Sequence, residues 1–133
     1  MLGRLGLLLP SLPHAADTKT ESEHSVSQQD TCEKFGSIFD PPAEDAIVGV
    51  AVASLGQLPL NAMRSQPHGA ACGWYVWGGD FSDAPDFFEP LHVQHLAHYA
   101  PALVPYLALT TGWRVQLASD HVDVWYDDKL LAV

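Results

Sequence analysis

Apolar and polar residues alternate in two short stretches near the C-terminus, Val115-Gln116-Leu117 and Val122-Asp123-Val124. A period of two marks a strand with one buried face. Ser119-Asp120 between them suits a two-residue turn, so the pair predicts a β-hairpin. That turn sets Leu117 opposite Val122 and Val115 opposite Val124 on the buried face. It sets Gln116 opposite Asp123, and Arg114 opposite Trp125, on the other face. Arg114 over the Trp125 ring would form a cation–π pair. A slip of one residue would turn the valines to solvent, so a single register is expected.

Other elements follow the same logic. Ile47–Ala53 (IVGVAVA) is β-branched and short, and predicts a strand. Gly49 within it marks a bulge or a close approach. Cys72–Trp77 (CGWYVW) predicts a second strand, with Trp74 and Val76 on one face and Tyr75 and Trp77 on the other. Aromatics on both faces imply a strand covered on both sides, or one face exposed for binding. Gly78-Gly79-Asp80 ends it. From about Pro90, residues Val93, Leu96, Ala97 and Ala100 recur at helical spacing, and Pro90 suits a first helical position. A helix is therefore expected from there to Pro101. Ala102–Leu109 reads as a second short helix or turn, limited by Pro105.

Glu33–Phe39 reads as a short helix stopped by Asp40-Pro41-Pro42. Leu55–Pro67 carries Pro59 and Pro67 and reads as an irregular connection bringing Leu58, Leu60 and Met63 into the core. Together these elements predict an α+β fold. It has a small antiparallel or mixed sheet of about four strands, helices packed on one face, and a C-terminal hairpin.

Residues 1–30 have a different texture. Met1–Ala16 has the outline of a secretory signal: Arg4, apolar Leu5–Leu9, then His14-Ala15-Ala16. Pro10 interrupts the apolar part, and His14 stands where a small residue is wanted. Asp17–Asp30 is polar and reads as a flexible lead-in. The expected organisation is a loose segment over 1–30 and one domain over 31–133. The expected location is the cytoplasm, with export as the alternative and an over-extended start as a third reading of the segment. No apolar run approaches the roughly 20 residues that span a bilayer.

Charge then narrows the function classes. The 133 residues carry a net charge of −10. From Phe35 onward, eleven acidic residues face only Arg64, Arg114 and Lys129, a net of −8. Such a surface repels phosphate backbones, so no nucleic-acid partner is expected. It attracts basic partners, although net charge also simply keeps a small protein soluble. Arg64 and Arg114 run against the trend and are expected to be structural, paired with carboxylates or stacked on aromatics. Cys32 and Cys72 lack C-x-x-C spacing. They read as free, partly buried thiols in a reducing compartment, or as one disulfide if the chain is exported.

Few residues are arranged for chemistry. His92, His95 and His98 lie on the outer side of the predicted helix and read as a polar face. The rival reading is a metal-dependent enzyme using His92, His95 and Cys72. Glu89-Pro90-Leu91-His92 has a Glu-x-x-His spacing, but a second such motif is needed for a carboxylate-bridged site. There is no phosphate loop, dinucleotide fingerprint or nucleophile elbow. No catalytic residue, metal or cofactor is expected. Asp80, Asp83, Asp86 and Glu89 surround Phe81, Phe87 and Phe88. That run is either a solvated loop whose phenylalanines cap the core or a binding edge of aromatic anchors ringed by acids.

The order of motifs also carries a resemblance. Leu58-Pro59-Leu60-Asn61 and Arg64 precede Cys72-Gly73-Trp74-Tyr75-Val76-Trp77-Gly78-Gly79. Ser82 through Val93 follows, then His95-Leu96, Pro105-Tyr106-Leu107, Gly112-Trp113-Arg114 and Asp123-Val124-Trp125-Tyr126-Asp127. From about Thr31 to Leu131 the chain resembles a family of small immunity proteins of bacterial polymorphic-toxin systems, the one numbered thirty-three. The resemblance implies a protein that protects its producer by binding a cognate toxin. It implies no catalytic residues. With the acidity, it implies a basic toxin as the partner, such as a nuclease. The candidate contact residues are Asp80, Phe81, Asp83, Asp86, Asp120, Asp123 and Asp128.

Overall fold

The structure, a computed structural model, describes residues 21–133. The signal-like stretch Met1–Ala16 lies outside the described residues. The fold is α+β, built on one mixed sheet of six strands: β1 Ile47–Val50, β2 Leu60–Arg64, β3 Ala71–Gly78, β4 Glu89–His92, β5 Trp113–Ala118 and β6 His121–Tyr126. Their order is β4-β1-β3-β2-β5-β6. β1 and β3 run parallel, and every other neighbouring pair is antiparallel.

The expected four strands become six because β2 lies where Pro59 and Pro67 argue for an irregular connection, and β4 lies where Pro90 marks the expected start of a helix. β2 occupies the middle of the sheet, between β3 and β5. Pro59 falls just before it and Pro67 after it, so neither must donate to the ladder. The register places Leu60 and Ala62 on the core face, while Met63 faces the other way, opposite Tyr75 and Arg114. Leu58 is exposed rather than in the core. β4 contains Pro90, opposite Gly49 at the sheet edge, where a missing N–H is tolerated. The helix expected from Pro90 therefore starts later, as a 3₁₀ turn Val93–His95 leading into α2, Leu96–Tyr99. Leu96 and Ala100 of the expected stripe are buried, whereas Ala97 is exposed.

At the other end of the chain, helix α1 spans Glu21–Phe35 rather than Glu33–Phe39. The polar stretch read as a lead-in is thus helical from Glu21. Its sequence has no strong apolar stripe, so tertiary contacts hold it. Cys32 is buried, and the Gln28 amide donates to the Val104 carbonyl at 2.9 Å. Val104 lies in the 3₁₀ segment Pro101–Tyr106, against which α1 packs. Phe39 instead forms an isolated bridge with Leu109.

Helices α1 and α2 and the segment Pro101–Tyr106 share one side of the sheet. The core there joins Val48 and Val50 of β1, Trp74 and Val76 of β3, Ala62 of β2 and Val115 of β5 to Leu96, Leu103, Leu107 and Leu109. Burying each large aliphatic side chain contributes roughly 1.5–3 kcal/mol. The hairpin forms in the register read from alternation, including Leu117 with Val122 and Arg114 with Trp125.

Arg64 closes one end of this core. It is only 4% exposed and lies over the Trp74 ring, 5.7 Å from its centroid. Its Nη1 donates to the carbonyls of Asp40 (2.7 Å) and Leu109 (2.8 Å), and its Nε to that of Cys72 (3.2 Å). The Asp40 carboxylate lies 3.8 Å away. Burial lowers the Arg64 pKa and Asp40 opposes that shift. The guanidinium fork thus ties β2 to β3, to the Asp40 loop and to the segment before β5.

Candidate functional site

The sheet has a second face, turned away from this core. One cross-strand row on that face reads Pro90, Gly49, Tyr75, Met63, Arg114, Trp125 from edge to edge. The adjoining row reads Trp77, Asn61, Gln116, Asp123. The face is therefore aromatic at its β1–β3 side and mixed polar and aromatic toward β6.

Gly49 is needed for this arrangement. A Cβ there would come 2.8 Å from Tyr75 Cδ1, so the tyrosine ring lies across the gap its absence leaves. The β1–β3 ladder also shifts register between Ile47 and Gly49. Both readings of Gly49, bulge and close approach, thus apply. The loop between β3 and β4 folds over the same spot. Phe88 meets Tyr75 edge to face at 5.1 Å, Phe81 meets Trp77 at 5.3 Å, and Phe87 meets Phe88 at 4.8 Å. Such pairs contribute about 0.5–1.5 kcal/mol each beyond area burial. A polar chain fixes where the loop leaves the sheet. Gln116 donates to the Asn61 side chain at 3.1 Å, and Asn61 donates to the Gly79 carbonyl at 3.1 Å.

The loop divides its phenylalanines between packing and exposure. Phe87 and Phe88 are half-buried against the sheet, while Phe81 is 52% exposed. Asp80, Asp83 and Asp86 are all exposed around it. The result is an aromatic projection from a packed base, ringed by carboxylates.

The seven predicted contact residues are not one patch. Gly78, Leu60, Leu117 and Val122 align across the sheet. The loop leaving Gly78 and the Ser119-Asp120 turn therefore lie at the same end of it. Asp80, Phe81, Asp83 and Asp86 gather above β3, with Asp120 at that end of the hairpin. The two are three strand spacings apart, roughly 14 Å. Asp123 faces outward from the second face on β6. Asp128 sits past the opposite end of β6, in the 3₁₀ turn Asp128–Ala132. Gln116 takes the place on this face that the hairpin register predicts, whereas Asn61, and Met63 that was expected in the core, belong to it against expectation, because the two prolines argue for an irregular connection in place of β2. The alternation of Leu60 and Ala62 with Asn61 and Met63 was the available signal, broken by Arg64 on the apolar phase.

Arg114 serves structure, stacked over Trp125 at 5.9 Å and 3.4 Å from the Asp127 carboxylate. His92, His95 and His98 are all exposed. Among the described residues, no group of three or more His, Cys, Asp or Glu side chains could hold a metal ion. Cys32 and Cys72 are free and buried in the core. Burial raises both thiol pKa values, which disfavours the thiolate that metal binding or nucleophilic attack requires. No helix among the described residues is long and apolar enough to cross a membrane.

The sequence model of the Imm33-like domain matches residues 27–127 of the chain, which takes in the whole sheet. No curated protein and no solved structure gives a significant match.

Proposed function

The chain belongs to the Imm33-like domain family, and on that premise we propose that it is a non-catalytic immunity protein that binds and neutralises a cognate toxin with a basic surface. The observation that carries this reading is the second sheet face with its acid-ringed aromatic loop. Aromatic side chains on a rigid base supply contact area at little entropic cost. The carboxylates around them steer a basic partner into encounter and select against acidic ones. The same charge disfavours a nucleic-acid partner. Neutralisation then follows from occupying the toxin's own basic surface. If the toxin is a nuclease, that surface is the one its substrate phosphates need. Two free buried thiols support a cytoplasmic site of action.

The test is co-expression with the toxin encoded beside this gene. Growth should be restored by the wild-type protein, and the two chains should copurify. Killing that proceeds unchanged in the presence of well-expressed, folded protein would refute the proposal.

A further inference from the structure

The two edges of the sheet are built differently. β4 is four residues long and carries Pro90, so that edge offers a short and interrupted row of backbone groups. β6 is six residues long, contains no proline and pairs with β5 without a bulge.

The hairpin geometry says which backbone groups of β6 are unused. Ser119 and Asp120 form the turn, and His121 pairs with Ala118 across it. In an antiparallel ladder, hydrogen-bonded and non-bonded pairs alternate from there. His121, Asp123 and Trp125 therefore turn their N–H and C=O groups toward β5. The bond from the Asp127 N–H to the Gly112 carbonyl, 2.7 Å, continues the same parity. Val122, Val124 and Tyr126 turn theirs away from the sheet. Among the described residues no hydrogen bond reaches their outward N–H groups. Val122 is 56% exposed and Tyr126 48%.

Charge along this edge selects an occupant. Asp120 precedes β6, Asp123 lies within it, and Asp127 and Asp128 follow it. Asp127 is engaged by Arg114, whereas Asp120, Asp123 and Asp128 make no ion pair among the described residues. A second copy of this chain centred on the middle of the strand is a poor fit. Antiparallel self-pairing about Val124 would set Asp120 against Asp128 at both ends, and like charges directly opposite destabilise.

We infer that the free edge of β6 accepts an extended basic segment of the partner as a seventh strand. A lysine or arginine of that segment lies opposite Asp123 on the second face. Its apolar residues lie opposite Val122 and Val124. Main-chain bonds supply the affinity and the carboxylates the choice of strand. This inference rests on the immunity reading and gives that reading a docking mode.

The experiment uses the full chain and the purified toxin encoded beside its gene. Amide hydrogen exchange is followed residue by residue, with and without toxin. In the free protein, the amides of Val122, Val124 and Tyr126 exchange fast while those of Asp123 and Trp125 are slow. Toxin binding should protect the first three. Val122→Pro deletes one outward N–H at an edge position where proline is tolerated. Val122→Thr alters the side chain and keeps the N–H. The proline variant should bind at least about tenfold more weakly than the threonine variant.

Tight binding with the three amides unprotected, or equal affinity of the two variants, overturns strand addition and leaves the immunity reading standing. Failure of the toxin to bind wild type overturns both. Concentration-dependent protection without toxin assigns the edge to a second copy and overturns the inference.

Discussion

Replacing Arg64 by methionine tests the account of the core end. Methionine keeps much of the apolar stem but supplies no donor. The Leu107 carbonyl keeps the Trp74 indole N–H at 2.9 Å. The carbonyls of Asp40, Leu109 and Cys72 each lose a charged donor. A charge-assisted hydrogen bond contributes about 1.5–3 kcal/mol net, and removing one partner of a buried charged group costs about 3–5 kcal/mol. Two terms reduce that loss. The Asp40 side chain is 46% exposed, so its carboxylate stays hydrated, and the guanidinium no longer has to be desolvated. The expected loss is about 3 kcal/mol, a large part of a typical 5–15 kcal/mol stability. Urea unfolding followed by tryptophan fluorescence measures it. With a slope of about 1–3 kcal/mol/M, the midpoint falls by about 1–3 M. Arg64→Lys should lose most of the same amount, since one ammonium cannot span three carbonyls. A methionine variant within about 1 kcal/mol of wild type would refute the reasoning. It would show that the cost of burying the charge balances its bonds, as it does for some buried ion pairs.

Four other outcomes are expected. Gly49→Ala should cost about 1–3 kcal/mol in urea unfolding and weaken the near-ultraviolet dichroism, because the new methyl displaces the Tyr75 ring and loosens the loop above it. Gly73→Ala should cost more than Gly49→Ala in the same assay. Its Cβ would strike the Ser65 carbonyl oxygen, a backbone atom, and its φ of +100° strains any side chain. Leu103→Ala should cost about 2–5 kcal/mol by leaving a cavity where a 1%-exposed side chain packed. Reversing the loop acids together, Asp80→Lys, Asp83→Lys and Asp86→Lys, should slow association with the toxin about tenfold or more in stopped-flow at low salt, with the difference shrinking as salt rises.

Much of the site was legible one residue at a time and illegible as an arrangement. The acids and aromatics of the Asp80–Glu89 stretch stand out because four acids and three phenylalanines fall within ten residues. Tyr75 and Trp77 are marked by sharing a strand phase with each other and not with Trp74. That Phe87 and Phe88 pack while Phe81 projects depends on how the loop meets β3, some ten residues earlier in sequence. The division of the acids between a loop above β3 and the outer strand β6 depends on strand order, which no local pattern encodes.

The sequence by itself determined the C-terminal hairpin, down to its register and the Arg114–Trp125 pair. Its strands are adjacent and its turn is short, so period-two alternation leaves one consistent pairing. The strand assigned to Cys72–Trp77 and the acidity of the surface were equally local facts. Tertiary structure decided the rest. β2 is a central strand because β3 and β5 satisfy its backbone on both sides, not because its residues favour one. Pro90 enters a strand because β4 is an edge, where one absent N–H costs nothing. The polar helix Glu21–Phe35 gains its stability from the segment Pro101–Tyr106 and not from its own propensity. Arg64 is buried because three separate segments bring carbonyls to it. In each case the deciding partner lies far along the chain, so the interaction energy exists only once the fold has assembled.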